Sequence, residues 1–166
     1  MQAPYMHGEL VECVVSKLPD APFSKFLKES LSFDWLQEGD DRLGITRFEQ
    51  GHNELVRCRR LKLNPGKIVI LLNPVLNEDK RLMKHTIVHE LLHAIGLIEH
   101  DEEHEELVKE IAPAPSLKES ELLQRLQKES LARLQRKEWH CKYCDHRWQR
   151  KTVSKVTRCP NCARPQ

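Results

Sequence analysis

His89-Glu90-Leu91-Leu92-His93-Ala94-Ile95-Gly96-Leu97-Ile98-Glu99-His100 is the stretch on which the reading of this chain turns. Residues four apart lie on one face of a helix, so His89 and His93 can grip one metal ion from the same side. Glu90 sits one position along, close enough to that face to reach a water on the ion. The run is otherwise apolar, and two histidines inside an apolar helix need a reason. Two imidazoles with a neighbouring carboxylate are the donor set of a zinc site that activates water.

Catalytic zinc takes three protein ligands and keeps one position open. The third ligand lies among Glu99, His100 and His104. A metzincin pattern, His-Glu-x-x-His-x-x-Gly-x-x-His, puts its glycine at Gly96 but its last histidine at Glu99, which cannot serve as one. A helix that stops at Gly96 allows the chain to swing His100 back, so the expected set is His89, His93 and His100. His104 is then a packing or surface residue of the acidic run Glu99 to Glu110, and His85 a structural or ligand-orienting one. The ion would bring the pKa of its water toward ~7. Glu90 would act as general base and then pass the proton to the leaving group.

Upstream, Leu10, Val11, Val14, Val15 and Leu18 recur at helical spacing until Pro19 and Pro22. Residues 23–36 read as a helix or turn, and Gly39-Asp40-Asp41 as a loop. Residues 43–48 read as a strand. Gly51-His52-Asn53 reads as a turn, and residues 54–59 as a second strand paired with the first. Residues 67–73, apolar and β-branched after Pro65-Gly66, are the clearest strand. A helix starting near Asn77 or Glu78 carries the histidine motif, with Leu82, Met83, Ile87, Val88, Leu91 and Leu92 turned to the core. Another helix is expected from Asp101 to Ala112. After Ala112-Pro113-Ala114-Pro115, Ser116-Leu117-Lys118-Glu119 reads as a capping box opening a long helix to about Lys137.

Cys141-x-x-Cys144 and Cys159-x-x-Cys162 stand on either side of residues 145–158. Each pair forms a tight knuckle, and four thiolates close a tetrahedral, structural zinc site. His140 and His146 flank the first knuckle, but the four cysteines suffice. Cys13 and Cys58 read as buried thiols. The segment is basic: Lys142, Arg147, Arg150, Lys151, Lys155, Arg158 and Arg164 stand against Asp145. Trp139, Tyr143 and Trp148 add flat surfaces. Cations for phosphates and rings for bases suit single-stranded nucleic acid, with Trp139, Tyr143, Arg147, Trp148, Arg150, Lys151, Lys155 and Arg158 as the contact set. On the blander alternative the rings cover a tiny core and the charges are solvated.

The chain has 166 residues, 31% charged and 5% aromatic, with a net charge of +2. That size allows one medium domain, or one domain with a small appendage. No apolar run approaches the ~18 residues of a membrane span. Residues 1–9 carry neither a basic nor an apolar leader segment, so the expected location is inside the cell: cytoplasm or nucleoid in a prokaryote, nucleus in a eukaryote.

Taken together, these residues resemble the SprT-like (Spartan-type) metalloprotease domain, with kinship to the WLM domains. That family follows His-Glu-x-x-His with a histidine opening a His-Gly-x-x-Phe-x-x-Leu pattern. Here its counterpart is His100-Asp101-Glu102-Glu103-His104-Glu105-Glu106-Leu107. Asp101 replaces the glycine, and His104 the aromatic. Leu43-Gly44 with the strand after it, and Ile68 to Pro74 followed by the motif helix, are similar too.

The resemblance implies an α+β fold: a small antiparallel or mixed sheet packed on helices, zincin-like, over residues 1–137, with a four-cysteine β zinc ribbon over 138–166. It also implies one catalytic and one structural zinc ion, and a metalloprotease that works on proteins bound or crosslinked to DNA, DNA with single-stranded character being the partner. The alternatives are a nucleic-acid-binding adaptor whose two zinc sites are both structural, and a zinc endoribonuclease of the YbeY type. The latter family uses a related histidine pattern without the equivalent of Glu90 and without the ribbon.

Overall fold

The computed structural model describes Pro4 and residues 8–134, 138–151 and 153–165. Over these residues the molecule is α+β, with six α-helices and two small sheets. It divides into two compact units, Met1–Pro115 and Ser116–Gln166. The helix after Pro115 therefore groups with the cysteine-rich segment, not with the expected 1–137 domain.

In the first unit, α1 (Gly8–Lys17) buries Val11 and Val14 and stops before Pro19. A 3-10 turn (Ser24–Phe26) and the four-residue α2 (Leu27–Ser30) lead into β1 (Leu31–Trp35). This strand lies where a helix or turn was expected. Leu31, Phe33 and Trp35 alternate with Ser32 and Asp34, and that period of two matches a half-buried strand. The central strand is β3 (Ile68–Leu72), whose Ile68, Ile70 and Leu72 are buried. It pairs in parallel with β1, and antiparallel with β2 (Gly44–Phe48). The sheet order is β1-β3-β2, so β2 is an edge strand.

The expected strand at 54–59 is instead part of α3 (His52–Leu61). Val56-Arg57-Cys58-Arg59 alternates in polarity, yet of these residues only Cys58 is buried. One buried position suits a helix lying on the surface better than a strand needing a partner. Glu54 pairs with Arg57 at 2.7 Å, one turn on, and Lys62 closes the helix in the left-handed region at φ 51°.

Residues 74–78 form a 3-10 turn, and Asp79 caps α4 (Lys80–Ala94) by accepting from the N–H groups of Arg81 and Leu82 at 3.0 and 2.9 Å. The helix buries Leu82, Ile87, Val88, Leu91 and Leu92 because it has neighbours on several sides: β2 and β3, α1, and α5 (Glu102–Ile111).

In the second unit, α6 (Glu121–Arg133) starts later than the capping box predicts. Glu119 does accept from the Ser116 N–H at 2.9 Å, but this closes a turn. The cap is Ser120, which accepts from the Leu123 N–H at 3.1 Å. The last residues of the expected helix, 135–137, lie outside the described residues. Two three-residue strands, β4 (Glu138–His140) and β5 (Arg147–Gln149), form a hairpin that sets Trp139 opposite Trp148. No helix among the described residues is long and apolar enough to cross a membrane.

Candidate metal centres

The end of α4 builds the first centre. Gly96 adopts φ 103°, a conformation that costs a side-chain-bearing residue, and the helix closes in a Schellman turn. The Gly96 N–H donates to the His93 carbonyl at 2.9 Å, and the Leu97 N–H to the Leu92 carbonyl at 3.0 Å. The chain then doubles back. Asp101 starts α5 at once, accepting from the His104 N–H at 2.9 Å. His100 is thus held between a helix stop and a helix start.

This reversal brings three imidazole nitrogens together. The Nε2 atoms of His89 and His93 are 3.2 Å apart, those of His93 and His100 3.1 Å, and those of His100 and His89 3.1 Å. His93 Nδ1 lies 2.8 Å from the Leu97 carbonyl oxygen. A carbonyl only accepts, so Nδ1 carries the proton and Nε2 turns a lone pair inward. Burial, and then the neighbouring imidazoles, hold His89 down to about 4, and burial also lowers His93. Both rings are therefore neutral near pH 7, the form that ligates. The three histidines could hold a metal ion.

Glu99 is not part of the set. Its side chain is 74% exposed and pairs with Arg59 at 3.7 Å. His104 is buried at 1% exposure and packs against the triad as a spacer, its ring stacked on His93 with centroids 4.8 Å apart. His85 Nδ1 meets the Ala112 carbonyl at 2.8 Å, a structural contact to the end of α5.

Glu90 lines the same cleft and is 6% exposed. Burial raises its pKa above the ordinary carboxylate value, against the opposing effect of a hydrogen bond from Thr46. Thr46 Oγ1 lies 2.8 Å from Glu90 Oε2 and 2.9 Å from the Glu90 carbonyl oxygen. Gly44, two residues earlier on β2, leaves room for this carboxylate: a Cβ there would lie 2.8 Å from Thr86 Cγ2 and 2.9 Å from Glu90 Cγ. Thr46 carries no local sequence signal and Gly44 only its place in the resemblance; both reach the site through the packing of β2 on α4.

Gly44→Ala should therefore push β2 from α4 and displace Glu90. The expected cost is about 1–3 kcal/mol of stability, checked by the denaturation midpoint, together with a larger loss of any activity that uses Glu90.

The second centre is a pair of matching knuckles. Cys141 Sγ and Cys162 Sγ are 3.7 Å apart, and Cys144 Sγ and Cys159 Sγ 3.8 Å. The Tyr143 and Asn161 N–H groups each donate to the sulfur two residues back, at 3.4 Å. Each knuckle ends in a left-handed residue, Asp145 at φ 54° and Ala163 at φ 57°. All four thiols lie close enough to hold one ion.

Beside this centre, Trp139, Trp148, Arg150, Lys151, Arg158 and their neighbours line a hollow of about 560 Å³. Arg150 sits 5.4 Å over the Trp139 ring. The other residues of the expected nucleic-acid set are not in this hollow. Tyr143 is flanked by Lys142 and Arg164, each 5.2 Å from its ring. Arg147 and Lys155 are exposed.

Comparison of the chain with models of known protein families, with curated proteins and with solved structures finds no match.

Proposed function

We propose that this chain is a zinc-dependent peptidase of SprT-like, zincin type, and that its ribbon brings it to DNA so that it cleaves proteins held there. The observation that carries the reading is the triangle of Nε2 atoms, with sides of 3.1–3.2 Å, beside a buried glutamate. Three imidazoles 2.0–2.1 Å from a tetrahedral zinc stand ~3.3–3.4 Å apart, close to these sides. Four thiolates at 2.3 Å from zinc stand ~3.8 Å apart, close to the 3.7 and 3.8 Å of the cysteines. The histidine set has three ligands and opens into a cleft of about 440 Å³, which suits catalysis. The cysteine set has four and suits structure.

Zinc bound to the histidines would supply the Lewis acidity that makes water a nucleophile near neutral pH. The rest falls to the protein. His93 is held in one tautomer by Leu97. Glu90 takes a proton from water as the oxygen bonds to the amide carbon, then delivers it to the nitrogen as the carbon–nitrogen bond breaks. Burial makes Glu90 a stronger base than an exposed carboxylate, and Thr46 fixes its direction.

The edge of β2 supports a peptide substrate. Leu43 and Glu49 bond across to β3, through the Asn73 N–H at 2.8 Å and the Lys67 carbonyl at 2.9 Å. Antiparallel ladders alternate, so Gly44, Thr46 and Phe48 turn their backbone groups to the outer edge. An extended chain can add there as a strand, beside the histidines.

The test uses zinc-loaded full-length protein and a basic protein bound to single-stranded DNA. Fragments should form, faster with DNA than without, and a chelator should stop them. An intact substrate after incubation of protein shown to carry two zinc ions would support a non-catalytic adaptor instead.

A further inference from the structure

We infer that the cleft selects substrates by an apolar side chain next to the cleaved bond, and that Phe48, Leu55 and Ile98 form the pocket that receives it. This deepens the peptidase reading and rests on it.

Phe48 comes from the edge strand, Leu55 from α3, and Ile98 from the segment between α4 and His100. All three line the cleft that holds His89, Glu90, His93 and His100. None is fully buried; Ile98 is 37% exposed. Three separate elements therefore turn apolar surface into one small cleft beside the candidate metal ligands; the Phe48 ring also packs on Phe23, with centroids 5.9 Å apart, and the protein leaves the rest of that surface partly uncovered. A substrate chain lying along β2 would cover it, because side chains next to the reacting amide project from the strand at this point. α3 matters here beyond its local stability: as the surface helix found in place of an expected strand, it provides the outer wall.

The cleft is selective by exclusion as well. Apart from the histidines, Glu90 is the one ionisable residue among the described residues that line it. Its Oε2 is engaged by Thr46. A charged side chain seated among Phe48, Leu55 and Ile98 would lose water and find no counter-charge on those three residues, which costs more than an apolar one gains. Arg59 and Glu99, near the same segment, neutralise each other. Leucine, isoleucine, methionine or phenylalanine is the expected occupant.

The experiment is cleavage-site mapping by mass spectrometry, with zinc-loaded full-length protein acting on a mixed-sequence peptide library in the presence of single-stranded DNA. Apolar residues should be enriched about 10- to 100-fold over acidic ones at one fixed position beside the cut. Leu55→Asp and Ile98→Asp should each cut that enrichment at least about tenfold and raise cleavage beside Lys and Arg. Ile98 is partly exposed, so its variant serves if Leu55→Asp fails to fold. Cleavage with no apolar preference, or with a preference unchanged in both variants, would overturn the pocket and leave the peptidase standing. No cleavage of any peptide by the zinc-loaded protein would overturn both.

Discussion

On the proposed mechanism, Glu90→Gln should lower peptide hydrolysis by about 10²–10⁴-fold while leaving the zinc content of the loaded protein unchanged. The substitution keeps size and shape, so the contact under Gly44 survives. An amide oxygen can still accept from Thr46, as the carboxylate does at 2.8 Å. The ligand nitrogens of His89, His93 and His100 are untouched. The one thing removed is the proposed ability to take a proton from water and return it to the departing amine. Zinc content by elemental analysis separates this loss from loss of the site. Hydrolysis by the zinc-loaded variant within tenfold of the wild type would assign the proton transfer to another group and sink the mechanism.

Cys159→Ser has a different and equally large effect. Within residues 138–165, only Cys141 and Cys159 among the described residues are buried. β4 and β5 have three residues each. A segment this poor in apolar core needs another source of stability, which an ion held by the four cysteines would supply. Structural zinc contributes about 10–16 kcal/mol of apparent binding energy in comparable small modules. The variant should bind one zinc ion instead of two, and residues 138–165 should become sensitive to protease. Affinity for single-stranded DNA should fall at least about tenfold. Cleavage of a short peptide in solution should persist, because the histidine centre draws its ligands from the first unit. A ribbon that stays protease-resistant with one thiolate removed would show that its hairpin folds without the ion.

The sequence made the motif helix plain because Leu82, Ile87, Val88, Leu91 and Leu92 repeat at helical spacing over a long run. His100 could be preferred over Glu99 because Gly96 marks where the helix must turn. The four cysteines needed only their spacing. What escaped was set by tertiary contact. α3 hid behind the alternating Val56 to Arg59, where the choice between strand and helix rests on what is buried, not on local pattern. β1 was masked by its short length and by the turns just before it. Ser116 and Glu119 make the expected reciprocal contact, but Ser120 competes for the helix start. Gly44, Thr46, Phe48 and Leu55 reach the cleft across long stretches of chain, and no periodicity announces that.

The turn at Gly96 couples the ligand set to the fold. The carbonyl of Leu97 belongs to the helix stop, yet it also holds the Nδ1 proton of His93. Stopping the helix and aiming the His93 ring are thus coupled through one hydrogen bond. By reciprocity, whatever favours the metal must favour the turn to the same extent. Loading the ion should stiffen residues 95–101, and fraying of that segment should loosen the ion. His100 and Ile98 lie in the same segment, so the third ligand and one wall of the proposed specificity pocket would be fixed together on metal uptake.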